Sequence, residues 1–220
     1  MNRKRITLFA GHYGSGKTNI SVNYALMLKK EGNETVIADM DIVNPYFRTK
    51  DSEKELNEAG IRLISSEYAS SNVDLPALPQ ELYSVIDDRN SFAVLDIGGD
   101  DRGAYALGRY AESILKENDY EMFMVINKFR PLTRDAESAA EVMKEIETAC
   151  EMKFTAIVNN SNLGEETTAD DVLGSLEYAE EVSRATGLPV KMTAVDRKLY
   201  NVLQDKIENL FPLDLQAKIR

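Results

Sequence analysis

The stretch Ile6-Thr7-Leu8-Phe9-Ala10-Gly11-His12-Tyr13-Gly14-Ser15-Gly16-Lys17-Thr18 decides the reading of this 220-residue chain. Its first five residues predict a buried strand, and the rest satisfies G-x-x-x-x-G-K-[ST] and runs directly into a helical segment. Each part of that pattern has a physical task. Glycines let the backbone curl so that successive N–H groups converge on phosphate oxygens, and the helix N-terminus adds its positive dipole end. Gly11, His12, Tyr13, Gly14, Ser15, Gly16, Lys17 and Thr18 are therefore the expected phosphate-binding residues. Lys17 is placed to reach the β- and γ-phosphates as a catalytic cation, and the Thr18 hydroxyl to hold Mg²⁺. A merely Gly-rich turn is the alternative reading of the loop.

Working outward, short apolar runs alternate with longer segments of helical period, the pattern of βαβ units around a parallel sheet. The expected strands are Ile6 to Ala10, Val36 to Ala38, Ile61 to Ile64, Phe92 to Leu95, Met122 to Ile126, Phe154 to Val158 and Val190 to Thr193. The expected helices are Lys17 to Lys30, Leu78 to Asp88, Ala104 to Lys116, Arg134 to Cys150, Asp170 to Thr186 and Arg197 to Leu210. No linker-like stretch divides residues 1–220, so a single α/β domain is expected. With 43% hydrophobic and 29% charged residues, the composition supports a sizeable core and excludes disordered and fibrous classes.

A formal charge of −11 argues against nucleic acid or an anionic membrane as partner. The one local exception is Lys128, Arg130 and Arg134, a solvated loop or an anion site. Cys150 is the single cysteine, which excludes an internal disulfide or a thiolate metal cluster and reads as a buried structural thiol. No apolar run reaches the roughly 18 to 20 residues of a membrane span, and the one after the opening MNRKR is too short for a signal sequence. A cytoplasmic location is the expectation.

A phosphate loop needs acidic partners for its metal and water. Phe92-Ala93-Val94-Leu95-Asp96-Ile97-Gly98-Gly99 is an apolar strand running into a carboxylate and then glycines, so Asp96 is a candidate metal ligand and Gly98-Gly99 open a loop sensing the γ-phosphate. Asp100, Asp101 and Arg102 would ride on that loop. Asp39 and Asp41 follow an earlier strand and share one face, with Asp41 nearer the edge where ligands bind. Strand-end carboxylates also serve as helix caps or solvated termini, and that alternative stays open. Asn127-Lys128-Phe129-Arg130 stands where N-K-x-D would read guanine; Arg130 is a pure donor and cannot accept from the guanine ring N–H, so ATP is favoured over GTP.

The order of phosphate loop, D-x-D strand end and D-x-G-G strand end resembles the MinD/ParA group of P-loop ATPases, CobQ/CobB-type domains included, over nearly the whole chain. The resemblance implies a three-layer α/β P-loop NTPase fold, with a mainly parallel sheet of about seven strands and helices on both faces. It implies that Asp41 positions water and metal, making it a catalytic residue and a metal ligand beside Thr18 and Asp96. It also implies that Asn159, in Ile157-Val158-Asn159-Asn160, meets adenine, with Val195-Asp196-Arg197 as a further wall. In that family K-G-G-x-G-K-[ST] carries a lysine that crosses to the partner's nucleotide. Here His12 stands in that lysine's place, either as a partial substitute or as a loop position facing solvent. Tyr46-Phe47-Arg48 reads as a partner or dimer surface, or as rings folded back onto the core.

The function so implied is an ATP-binding, Mg-dependent ATPase acting as a nucleotide-controlled switch, with a nucleotide-dependent homodimer, a protein partner or a small-molecule substrate. An ATP-dependent small-molecule phosphotransferase or ligase, lined by Arg48, Arg102, Lys128 and Arg130, and a non-hydrolysing binding module are the alternatives.

Overall fold

The computed structural model describes residues 3–41, 49–65, 81–99 and 101–216, with the side chains at 50, 51, 101 and 102 outside that description. Eight strands form one sheet: β1 (Ile6–Ala10), β2 (Thr35–Met40), β3 (Arg62–Ser65), β4 (Phe92–Ile97), β5 (Tyr120–Ile126), β6 (Ala156–Asn159), β7 (Val190–Asp196) and β8 (Leu210–Leu213). Their order is β3-β2-β4-β1-β5-β6-β7-β8, and every pair is parallel. The described helices are α1 (Lys17–Lys30), α2 (Glu53–Glu58), α3 (Glu81–Asp87), α4 (Asp101–Glu117), α5 (Ala136–Cys150), α6 (Ala169–Leu173), α7 (Leu176–Thr186) and α8 (Arg197–Leu203).

Alternation along the strands sorts the core into two layers. Leu8, Ala38, Leu95 and Met124 face α3, α4, α5 and α7 through Leu82, Leu107, Ile114, Val142 and Val182. Phe9, Ile37, Val94 and Phe123 face the other way, onto Ile20, Tyr24 and Leu28 of α1 and Leu56 of α2. The parity that puts Ile37 and Val94 on the α1 side puts Asp39 and Asp96 there too, and the register pairs Asp39 with Asp96 and Phe9 with Asp96. The carboxylates thus reach the face from which α1 and its preceding loop rise. β1 lies between β4 and β5, so its C-terminal end is the topological switch point where ligands bind in open α/β sheets.

At the opposite edge Arg5 ties the layers together. Its guanidinium pairs with Glu117 at the end of α4, Nη2 at 2.6 Å from Oε2, and donates to the carbonyls of Val85, Ile86, Asp88 and Ser91 around the end of α3. Those of Val85 and Ile86 are among the last-turn carbonyls that a helix terminus leaves unpaired.

Several expectations need correction. The sheet has an eighth strand, because the segment read as a helix from Arg197 to Leu210 stops at Leu203 and the chain turns through Asn209 (φ 56°) into β8. Pro212 is tolerated there because β8 is an edge strand pairing only with β7, so its missing N–H breaks no ladder. The expected Asp170 to Thr186 helix is two: Gly174 N–H bonds to Asp170 O, Ser175 Oγ to Val172 O at 2.7 Å, and the chain restarts at Leu176. A Thr168–Asp171 capping box opens the first of them. α2 was not expected. Asp101 and Arg102 belong to the first turn of α4 rather than to a loop, and Asp96 lies within β4, one residue before its end. Tyr46, Phe47, Arg48 and Asp100, and the part of the expected Leu78 to Asp88 helix before Glu81, lie outside the described residues.

Candidate nucleotide site

The phosphate loop connects β1 to α1. Gly11, Gly14 and Gly16 all have positive φ (149°, 77° and 90°), a backbone path that L side chains rarely follow. Space is as restrictive as torsion. A Cβ on Gly11 would stand 2.5 Å from Val125 O, and one on Gly16 would stand 2.2 Å from Asn160 Nδ2. Lys17 is buried at 6% exposure and its Nζ donates to His12 O at 3.2 Å, which places the ammonium inside the curl. Ser15 is fully buried with an Oγ that has no hydrogen-bond partner among the described residues. A buried hydroxyl aimed nowhere is costly unless a ligand oxygen completes it. The orphaned hydroxyl and a cradle that a Cβ would fill both fit a phosphate group.

Asp96 anchors the acidic side. It is 1% exposed, and its carboxylate accepts hydrogen bonds from the hydroxyls of Ser21 (3.4 Å) and Thr49 (3.0 Å), with the Thr18 hydroxyl close enough to favour its charged form. Burial raises its pKa from 3.8 to about 6; the hydroxyls of Thr18 and Thr49 and the charge of Lys17 oppose the rise, and Asp41 adds to it. Asp41 follows β2, where its N–H donates to Asp39 Oδ1 at 2.9 Å. Lys17, Thr18, Asp41 and Asp96 therefore converge. A hydroxyl and carboxylates form an oxygen donor set suited to a hard divalent cation such as Mg²⁺.

The turn after β4 closes on the same place. A Cβ on Gly99 would meet Tyr13 N at 2.7 Å and Lys17 Nζ at 2.8 Å. One on Gly98 would stand 3.4 Å from Asp41 Cα, and one on Gly103, in α4, would stand 2.6 Å from Gly98 Cα. The backbone after Asp96 is thus pressed between the phosphate loop, Asp41 and the first turns of α4.

On the other flank a lattice of asparagines and serines holds the loop. Asn160 Nδ2 donates to Ser15 O at 2.7 Å. Asn159 is fully buried; its Nδ2 donates to Ser175 Oγ at 2.9 Å and its Oδ1 accepts from Ser161 N–H and Oγ–H. Asn127 is as deeply placed, accepting from Phe129 N and Asn162 N and donating to Asn162 O. Beyond them Asp196 and Arg197, at the junction of β7 and α8, border an open groove of about 520 Å³ with Lys198, Asp214 and Glu165, and Arg197 makes a two-pronged pair with Asp214 at 2.8 Å. The His12 side chain sits beside the loop, Nδ1 3.1 Å from Tyr13 O, and the Tyr13 ring is 54% exposed.

Sequence reading did not single out Thr49, Ser21 or Asn160. Ser21 lies one helical turn after Lys17 and Asn160 beside Asn159, so spacing could have proposed both. Thr49 belongs to no motif, and only folding brings its hydroxyl to Asp96.

Fold and loop together define a P-loop nucleotide-binding protein. Residues 6–188 match the family model described as "CobQ/CobB/MinD/ParA nucleotide binding domain", and the chain belongs to that family. No match was found among curated proteins. Among solved structures the chain is similar to FtsY from Mycoplasma mycoides (17% identity, TM-score 0.60, covering 88% of this chain and 60% of that one). It is also similar to chloroplast FtsY from Physcomitrella patens (15%, TM-score 0.59, 88% and 59%). A third is the signal recognition particle 54 kDa protein from Aeropyrum pernix in complex with GDP (15%, TM-score 0.57, 87% and 41%). At these identities the likeness is one of fold, and the chain spans about 60% or less of the length of each of these proteins. No described helix is long and apolar enough to cross a membrane.

Asp96 gives the site a pH signature. Between about pH 4 and pH 6 the folded, ligand-free chain keeps a proton on Asp96 that the unfolded chain has released. Stability from this group therefore falls as pH rises through that window. Asp96→Asn should remove this slope and raise stability at pH 7.5 by roughly 1–3 kcal/mol. Urea unfolding of both proteins in chelator from pH 4 to 8 reads the difference; parallel profiles, or a less stable variant at pH 7.5, would refute it.

Proposed function

We propose that the chain is a Mg-dependent ATPase that works as a nucleotide-controlled switch. The observation that carries this reading is the packing of Gly99 against Tyr13 N and Lys17 Nζ, the ends of the loop that faces a terminal phosphate. A triphosphate seated on the loop must displace or engage that turn. Through the Gly98–Gly103 contact the displacement acts on α4, and through Gly98 on Asp41.

In this reading the N–H groups of Gly11 to Thr18 and the Lys17 ammonium bind and orient the phosphates. Thr18, Asp96 and Asp41 would hold Mg²⁺, which when bound neutralises charge between the β- and γ-phosphates. Asp41, just past the C-terminal end of β2, orients the attacking water, while Gly98-Gly99 shield the γ-phosphate from bulk solvent. ATP is favoured because Arg130 stands where guanine recognition requires a carboxylate. Asn159 is assigned to the adenine side of the site, where its amide also holds Ser161 and Ser175. Ordering of the turns on triphosphate binding supplies a surface for a second copy of the chain or another partner.

The test is phosphate release from ATP and from GTP with Mg²⁺, comparing the intact chain with Asp41→Ala, alongside scattering mass with each nucleotide. Release from ATP alone, lowered at least ten-fold by Asp41→Ala with nucleotide affinity retained, is the expected result. Equal release from GTP would overturn the base assignment. Tight binding with no release would replace the switch ATPase by a passive binding module.

A further inference from the structure

We propose that Arg130 is a second phosphate-binding cation of the nucleotide site, supplied within the same chain by the loop between β5 and α5; the proposal rests on the reading of Gly11 to Thr18 as a nucleotide site. The three cations of that loop have separate fates. Lys128 Nζ donates to Gly174 O at 2.9 Å, and Arg134 pairs with Asp135 at 3.4 Å. Only Arg130 turns to the phosphate loop, its Nε donating to Gly14 O at 2.9 Å. A Cβ built on Gly14 would meet Nε, Cδ and Cζ of Arg130 at 3.4 to 3.6 Å, so the guanidinium lies against the loop itself.

The parallel with Lys17 is close. Each cation donates to a loop carbonyl, Lys17 to His12 O and Arg130 to Gly14 O. A phosphate oxygen is a much stronger acceptor than a neutral carbonyl, and charge-assisted bonds are about twice as strong as neutral ones. Arg130 is exposed, and its Nη1 and Nη2 make no hydrogen bond among the described residues. One edge of the guanidinium can therefore stay on Gly14 while the planar fork of its terminal nitrogens takes two oxygens of one phosphate.

The backbone beneath Arg130 is fixed for this purpose. Arg130 N–H bonds to Asn127 O and its carbonyl accepts from Thr133 N–H, while Thr133 Oγ also donates to Asn127 O at 2.9 Å. Asn127 and Thr133 are buried at 1% and 0% exposure. A long cation on a rigid base loses less freedom on binding than one on a mobile loop. The residue that argues against guanine thus gains a positive role at the phosphates, beside a loop that has His12 and Tyr13 where the family pattern has lysine and glycine.

The experiment measures the affinity of ATP, ADP and adenosine, by competition with a fluorescent triphosphate analogue, for the wild type, Arg130→Gln and Arg130→Lys. Glutamine can still donate to Gly14 O but carries no charge, which separates a loop clasp from a phosphate cation. Arg130→Gln should weaken ATP by about ten- to a hundred-fold and leave adenosine and the thermal midpoint unchanged, with partial recovery in Arg130→Lys. An Arg130→Gln variant that binds ATP within two-fold of wild type, or that loses ATP and adenosine equally, overturns the proposal while the nucleotide site stands. A wild-type chain that binds no triphosphate overturns the site, and this proposal with it.

Discussion

Lys17→Ala is expected to lower phosphate release by roughly 10²- to 10³-fold and to weaken triphosphate binding by about ten- to a hundred-fold. Its ammonium is held within the curl of the loop by burial and by the His12 carbonyl, so little reorganisation is needed when charge develops on a transferring phosphoryl group. Its loss also acts on the acidic side. The Lys17 charge holds the pKa of Asp96 down, and without it the carboxylate keeps its proton to higher pH and is a poorer metal ligand. The Mg²⁺ dependence of nucleotide affinity should flatten in the same variant. Fluorescent-nucleotide titration over a Mg²⁺ series, with phosphate release on the same samples, reads both effects. An affinity within two-fold of wild type would show that Lys17 does not face the phosphates.

The largest effect on folding is expected at the opposite edge of the sheet. Arg5→Ala should destabilise the chain by about 3–5 kcal/mol, because it leaves the Glu117 carboxylate buried without its cation and strands the carbonyls around the end of α3. The Arg5 and Glu117 side chains are 8% and 6% exposed, which sets this pair apart from surface pairs such as Lys54–Glu58 at 88% and 69%. Surface pairs contribute little. Glu117→Gln keeps the shape and much of the hydrogen bonding, so it should cost less and serves if the alanine variant does not fold. Urea unfolding measures both, and a loss under 1 kcal/mol for Arg5→Ala would place the edge's stability elsewhere. Nucleotide affinity of the folded fraction should not change, since Arg5 lies at the N-terminal end of β1 and the loop at its C-terminal end.

Much of this was legible in the chain. β1, the phosphate loop and α1 follow from residues 6–30 because their determinants are local: an apolar run, glycines where φ is positive, and a helix beginning at the last loop residues. α1 is buried around most of its circumference. Ile20, Val22, Tyr24, Ala25 and Leu28 are all buried, and Asn23 is covered by the segment after β8, accepting from Asp214 N–H at 2.8 Å. β8 was missed because a proline in four residues argues against a strand until one knows that they lie at a sheet edge. The break at Gly174-Ser175 was missed because the apolar spacing continues through it.

The sequence by itself determined the class of fold and the loop, and it pointed to the lysine, threonine and aspartates that the structure gathers beside that loop, since strand alternation and motif spacing are properties of neighbouring residues. Only the tertiary structure decided which distant groups complete them. Thr49 on Asp96, Asn160 on Ser15, Gly99 on Lys17 and Arg130 on Gly14 join residues 47 to 145 positions apart. The physical reason is the sheet order, which places the ends of β2, β4, β5 and β6 around the end of β1. No local pattern encodes that adjacency, because it arises only when both faces of the sheet are buried together.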